Sequence, residues 1–491
     1  MVLLGVAMLC FVMLPTQADP DLWGHLRFGL DILASHSIPS SDPYSYTAAG
    51  APWTNHEWLA ELLFALAWKA AGAAGLVLLK VALAVLTGSV CYQFLLSRGV
   101  TSDRAAVVLL TFITLIPPFQ MLRPLLFTLP AFAATLIAVS RAEGGSATAL
   151  WILPPLFAAW ANLHGGFLAG LCILGMWGAL RIASDRRRLW PTVLPLAATL
   201  GATCLNPYSW HLLVFLAKTA SVPRPDIIEW TPLGITTPYG IMYVVVLGIS
   251  VTGLALSRGE KSWRLVVLFG ICALMPFAAL RHGPLFMIAA VVLAGPHTAD
   301  WLTRMGEASR SSPRVPVQKS RKPLDVPGWA PLLPIICVTV FLVAAVRRPM
   351  TISVGEQFPV DAVRFLTASR FEGNLIHRFN WGEYLIWHLG PRVKVMVDGR
   401  RETVYPQEIY QQYLDFQSGV NDWNRLLRDH SADVALLEKN SVSANLLRLE
   451  DKWTLVYEDD LAIILARRNT ASLKLLAATT ASRSPEPFVF P

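Results

Sequence analysis

The chain has 491 residues, of which 54% are hydrophobic and only 15% charged, with a formal net charge of +8. Apolar runs of membrane length recur from residue 1 to about 346, which excludes an ordinary soluble enzyme and indicates a polytopic membrane protein. The Lys and Arg excess lies in short breaks between those runs, as the positive-inside bias requires, so the charge does not point to nucleic acid. The six cysteines (Cys10, Cys91, Cys172, Cys204, Cys272, Cys337) all fall inside apolar segments without CxxC spacing. That argues for core packing rather than a disulfide framework or a thiolate zinc site.

Residues 1–14 are apolar, and Thr16-Gln17-Ala18 has the form of a small-x-small cleavage site. Two readings stay open: a cleaved signal, or a first transmembrane helix with a clipped start, since roughly 14 residues rise only about 21 Å against a hydrocarbon core of about 30 Å. Both send the next stretch, Asp19-Pro20-Asp21-Leu22-Trp23-Gly24-His25-Leu26-Arg27, to the outer face. This first outer loop, residues 15–56, leads into a segment at 56–72 that starts His56-Glu57 and holds Glu61 and Lys69. About 17 residues is the lower limit for a span, so an interfacial or re-entrant helix is expected there.

Further apolar segments run over 75–97, 104–121, 124–140, 149–163, 166–182, 191–206, 239–257, 264–280, 283–299 and 330–346, giving about 11–12 spans in all. With the basic breaks in the cytoplasm, the other polar breaks fall on the side of the Asp19 loop. These are Arg123-Pro124, Asn162-Leu163-His164-Gly165-Gly166, Asn206-Pro207-Tyr208 and Arg281-His282-Gly283-Pro284. Polar groups at membrane depth are costly unless they line a cavity, so their convergence on one face predicts a site there. Residues 207–238 form a long outer connection in which Trp210 to Leu216 is expected to lie along the interface.

The character changes after the last span. Residues 1–348 read as the membrane domain, 349–468 as an outward-facing soluble α/β domain, and 469–491 as a loosely held tail. Strands are expected at Arg392 to Asp398, Ala432 to Leu437, Trp453 to Tyr457 and Leu461 to Ala466, and helices at Pro406 to Phe416 and Asp422 to Asp429. Asp398-Gly399-Arg400-Arg401 reads as a turn after its strand.

Asp19 and Asp21 are the leading candidates for chemistry, against a plain alternative of an Asp-Pro turn and a helix cap before Leu22. His56 and Glu57 lack the second histidine of a zinc-protease HExxH, which leaves a substrate-binding role or a helix start with Glu57 near the positive dipole end. Arg27, Arg123, Arg281 and His282 are placed to meet a lipid headgroup or to snorkel. His164, followed by two glycines, offers exposed N–H groups to a phosphate or a tight packing turn.

Together these stretches resemble the C-type (GT-C) membrane glycosyltransferase superfamily, and in particular bacterial multi-pass proteins grouped with its polyprenyl-phosphate-sugar-dependent enzymes. The resemblance rests on Asp19 to Gly29, Ile38-Pro39, Asp42 to Ser45, Trp53 to Leu59, Asn162 to Gly166, Trp381-Gly382-Glu383-Tyr384 and Val397-Asp398-Gly399-Arg400. It implies a polytopic α-helical membrane protein with a C-terminal soluble α/β domain, in a bacterial inner membrane. The implied activity is inverting transfer of a hexosyl or pentosyl group from a polyprenyl phosphate to an unknown acceptor on the extracytoplasmic face. Asp21 or Asp19 would act as base, or as ligand of a divalent metal ion if one is used. Arg27, His56, Glu57, Arg123, His164, Arg281 and His282 would bind substrate or the donor phosphate. The rival is a lipid-linked glycan transporter, flippase or assembly scaffold. It is disfavoured because the spans hold almost no internal charge apart from Lys80.

Overall fold

The computed structural model describes residues 16–113, 121–220, 222, 224–311, 350–468 and 490. The expected spans at 1–14 and 330–346, and the tail apart from Phe490, lie outside the described residues. Contacts divide the chain into two compact units. One comprises Met1–Pro15, Val77–Gln120 and Pro124–Met350, the other Thr16–Leu76, Met121–Arg123 and Thr351–Pro491. The first outer loop therefore belongs with the C-terminal residues, whereas the sequence places it with the spans.

The helical unit follows the apolar segments closely. Five described helices are long and apolar enough to cross a membrane, and Ala147–Leu163, His211–Ala220 and Trp263–Ala278 are shorter apolar ones. Leu125–Glu143 is the most enclosed, with 78% of its apolar window buried, and Pro238–Leu256 the least, at 28%. Local chemistry sets the ends. Thr237 accepts a hydrogen bond from the Gly240 N–H and Pro238 occupies the first turn, where a missing N–H costs nothing. The chain is a multi-pass membrane protein.

The helical stretch Trp58–Ser97 is broken at Ala71 (φ −153°) and Gly72 (φ 58°, ψ −140°). The second of these is a conformation that a side chain disfavours and glycine accepts. The piece before the break is roughly 13 residues, or about 20 Å long, too short to cross alone. It lies in the second unit.

The second unit is built on a five-stranded sheet. In chain order β1 is Thr16–Gln17, β2 Ile352–Ser353, β3 Gly373–His377, β4 Val393–Val395, β5 Val434–Glu438, β6 Trp453–Glu458 and β7 Ala462–Arg467. The sheet order is β4-β3-β5-β7-β6, parallel across β4-β3-β5 and antiparallel across β5-β7-β6. The helix Gly382–Leu389 makes the crossover from β3 to β4. Strands β5 and β7 are apolar and buried along nearly their whole length, as central strands covered on both faces must be.

The first outer loop joins this sheet through main-chain hydrogen bonds. The Val395 N–H donates to Tyr44 O (3.2 Å), the Tyr46 N–H to Val395 O (3.0 Å) and the Thr54 N–H to Thr403 O (3.2 Å). Strand β1 pairs in parallel with β2. The expected strand over Arg392 to Asp398 is shorter in the structure, Val393–Val395, and the buried Asp398 and Arg400 follow it outside the strand. Phe490 is not loosely held: its N–H donates to Ile352 O (3.0 Å), and its ring lies 5.3 Å from Trp23 and 5.5 Å from Trp68.

Candidate functional site

The polar stretch at Asp19 is a helix entry, not a free loop, because Leu22–Ser35 is helical. Asp21 stands at the cap position, yet its side chain makes no capping hydrogen bond. Instead Asp19 Oδ1 accepts from the Asp21 N–H (3.1 Å), which turns the Asp21 carboxylate outward. Arg123 sits against both: its Nη2 is 2.8 Å from Asp19 Oδ2 and 3.6 Å from Asp21 Oδ2. The two acids are not equivalent. The Asp19 side chain is 1% exposed and the Asp21 side chain 33%. Burial pushes the Asp19 carboxyl above the ordinary range, with Arg123 opposing and Asp21 adding to the shift.

A third carboxyl faces this pair. Glu383, from the first turn of Gly382–Leu389 and only 4% exposed, accepts from the Gly24 N–H through Oε2 (3.1 Å). A Cβ on Gly399 would fall 2.5 Å from Glu383 Oε1 and 2.7 Å from Asp21 Oδ1, so Gly399 keeps open the space between the two acids. Burial, with the Asp21 and Asp398 charges adding to it, holds the Glu383 carboxyl well above the usual range. An acid with a raised folded pKa stabilises the fold below its unfolded pKa, and that contribution is lost as pH rises through the folded value. Glu383→Gln is therefore expected to melt near wild type below the ordinary carboxylate range and progressively above it as pH rises from there through the raised folded value. A constant difference in melting temperature across that range would contradict a protonated Glu383.

Behind the carboxylates lies a second polar layer. His25 Nδ1 is 3.5 Å from Glu61 Oε1, and Asn55 Nδ2 donates to Glu61 Oε2 (2.6 Å). Burial works against a charge on His25, but Glu61, Glu57 and Asp21 outweigh it and raise the imidazole pKa. Arg400 forms an ion pair through Nη1 with Asp42 Oδ1 (2.8 Å) and donates from Nη2 to Asp398 Oδ2 (2.6 Å). Its guanidinium lies 4.7 to 5.1 Å from the rings of Trp53, Tyr44 and Phe28. Tyr405 also donates to Asp398 (2.7 Å). Burial alone would raise the Asp398 pKa, but the Arg400 charge and these hydrogen bonds overcome it and lower it.

Among the residues expected at the site, Asp19, Asp21 and Arg123 meet directly. His56 Nε2 pairs with Glu57 Oε1 at 3.7 Å, and Glu57 contributes to the field on His25. Arg27 Nε bonds Asp31 Oδ2 (3.0 Å) one helical turn on, which makes it a helix-surface pair. The other three are in the helical unit. His164 Nδ1 accepts from the Gly166 N–H (3.0 Å) and lies 2.8 Å from Thr128 Oγ1, shaping a turn. His282 Nδ1 lies 3.2 Å from Met275 O. The Arg281 guanidinium covers Trp230 at 4.5 Å, and Arg224 covers it at 3.8 Å. Sequence reasoning placed His25, Glu383, Gly399 and Arg400 in stretches that carry the resemblance, but named neither them nor Glu61 as site residues. The available signal was charge inside apolar context, as in Met396-Val397-Asp398 and Trp381-Gly382-Glu383-Tyr384.

The acids do not fit a metal centre. Among the described residues no group of three His, Cys, Asp or Glu side chains is arranged to hold an ion, and the Arg123 guanidinium takes the place a cation would have beside Asp19 and Asp21.

No family model matches the sequence, and no curated protein matches it. Solved structures do. AglB, the archaeal oligosaccharyltransferase from Archaeoglobus fulgidus in complex with an inhibitory peptide and a dolichol-phosphate, aligns over 89% of this chain and 69% of its own, at TM-score 0.58 and 12% identity. AftD, an arabinofuranosyltransferase from Mycobacteria, aligns over 95% of this chain and 39% of its own, at TM-score 0.54 and 15% identity. ArnT from Cupriavidus metallidurans, bound to undecaprenyl phosphate, covers 96% and 98% at TM-score 0.49 and 11% identity. The likeness to AglB and AftD is one of fold, and it bears out the fold read from the sequence: a multi-pass helical membrane protein with a C-terminal α/β region.

Proposed function

We propose that the protein is a membrane glycosyltransferase that moves a sugar from a polyprenyl-phosphate donor to an acceptor hydroxyl on the extracytoplasmic face of a bacterial inner membrane. The observation that carries this reading is Arg123 set between a buried Asp19 and a partly exposed Asp21. The acceptor oxygen attacks the anomeric carbon as the bond to the lipid phosphate breaks, its proton passes to Asp21, and the phosphate departs as an anion. A single displacement of this kind inverts the anomeric centre. Asp21 is the base because its carboxylate is exposed; Asp19 positions Arg123. Once Asp21 is protonated, Arg123 has one carboxylate fewer to neutralise it and can stabilise the leaving phosphate. AglB was solved with a dolichol-phosphate, which supports the donor class.

In this reading Arg123 supplies the charge that a divalent ion would otherwise bring. Transfer is expected to survive EDTA; loss of activity restored by Mg²⁺ or Mn²⁺ would return an ion to Asp19 and Asp21. Gly399→Ala should lower transfer by at least ~10-fold while leaving the melting temperature within a few degrees, because the new methyl group enters the space between Asp21 and Glu383. Unchanged turnover would show that this space is not used. The reading as a whole is tested by incubating the purified protein with radiolabelled polyprenyl-phosphate sugars and following sugar release or transfer. No turnover of any donor, with lipid movement across proteoliposomes instead, would favour the transporter or flippase.

A further inference from the structure

The helical unit contains a cavity of about 700 Å³ that the proposed chemistry does not use. It opens where the basic breaks lie, between the end of Trp58–Ser97, the start of Ser102–Ile113, the end of Leu125–Glu143, the 257–262 turn and Pro296 to Thr303. The cations around it come from separate segments, Arg98, Arg104 and Lys261, with the His297 imidazole beside them.

Three carboxylates share the lining, and two are already neutralised. Glu143 Oε1 accepts from Arg264 Nε (2.7 Å) and Ser262 Oγ (2.7 Å), while its Oε2 takes Trp177 Nε1 (3.1 Å) and Arg181 Nη1 (3.4 Å). Asp300 Oδ2 accepts from the Arg258 N–H (2.9 Å) and lies 3.5 Å from Arg304 Nε. The third, Glu260, is exposed at the rim. Among the described residues Lys261 Nζ donates only to a carbonyl, that of Ser257 (2.6 Å), and His297 Nδ1 meets Ser257 Oγ (3.1 Å). The guanidinium groups of Arg98 and Arg104 have no ion pair or hydrogen bond among the described residues. A cavity with this surplus of donors and positive charge suits an anion.

The floor narrows the choice. Leu265, Val266 and Phe269 form one wall, and Val292 and Leu293 the other. Val292 and Leu293 belong to the π-helical turn Ala290–Ala294, a local widening common where a helix borders a ligand. The volume is that of a small-molecule site, far larger than a bare ion needs. Positive charge at helix ends above an apolar floor matches a phosphate head with acyl chains attached.

We propose that this cavity binds an anionic phospholipid by its phosphate, with Arg98, Arg104 and Lys261 at the headgroup and the Phe269 and Val292 walls against the first chain carbons. The test is native mass spectrometry of the full-length protein incubated with dioleoylphosphatidylglycerol, with diolein, or with inorganic phosphate. Wild type is expected to retain phosphatidylglycerol and not diolein. The double variant Arg98→Gln/Arg104→Gln should retain it ~10-fold less, and Lys261→Gln should also weaken retention. Arg186→Gln/Arg187→Gln, which removes two exposed arginines outside the cavity lining, should leave it unchanged. Equal retention by wild type and the Arg98 and Arg104 double variant would overturn the proposal, as would equal retention of diolein or an equal loss in the Arg186 and Arg187 control. Displacement of phosphatidylglycerol by inorganic phosphate at matched concentration would overturn the lipid assignment in favour of a soluble phosphate.

Discussion

Asp21→Asn is expected to lower sugar transfer by about 10²- to 10⁴-fold, the range a general base contributes. The amide keeps the shape of the carboxylate but cannot take the acceptor proton, so the loss should fall on kcat with donor binding little changed. Asp19→Asn should behave differently. It removes the 2.8 Å partner of Arg123 but leaves the exposed carboxylate in place, so weaker donor binding is expected before any loss of turnover. Steady-state assays over a donor concentration series separate the two. Full turnover in Asp21→Asn, or identical kcat losses in both variants, would sink the division of labour drawn between them.

Arg400→Ala is expected to give the largest loss of stability, about 3–5 kcal/mol, because it leaves the carboxylates of Asp398 and Asp42 buried without their shared cation. Both acids are almost wholly inaccessible, so water cannot make up the loss. Arg400→Lys should recover only part of it, since an ammonium cannot pair with Asp42 and place two N–H groups on Asp398 while filling the space among Trp53, Tyr44 and Phe28. The pH behaviour follows from the lowered pKa of Asp398. Its contribution is present above the unfolded carboxylate value and fades as pH falls through the lower folded one, so acid should destabilise wild type more steeply than Asp398→Asn. Thermal unfolding in detergent across that acid range checks both points, and an Arg400→Ala melting temperature within measurement error of wild type would refute the first.

The sequence announces most of the helical unit, because spans are long, apolar and bounded by charge. Leu125–Glu143, Phe167–Ser184 and Pro238–Leu256 begin and end within a few residues of the apolar runs that predict them. The closing strand pair was equally plain, since Trp453–Glu458 and Ala462–Arg467 flank a polar turn of Asp459 and Asp460. Strand β3 and the helices Val360–Ala368 and Gly382–Leu389 were missed, being short segments whose placement is set by tertiary packing. The candidate site divides in the same way. Asp19, Asp21 and Arg123 stand out as polar groups next to apolar spans. Glu383 and Arg400 do not, because their meaning lies in partners hundreds of positions away.

That distance bears on how the protein is made. The hydrogen bond from Gly24 to Glu383 closes a sequence separation of 359 residues. At about 5–20 residues per second, the helix after Asp21 waits some tens of seconds for its partner to be synthesised. Throughout that interval the carboxylates of Asp19 and Asp21 exist without the Glu383 acid, the Arg400 clamp or the edge strand that receives Tyr44 to Tyr46. A nascent chain stalled before residue 383 can therefore hold all its early apolar segments while the candidate site is still unassembled.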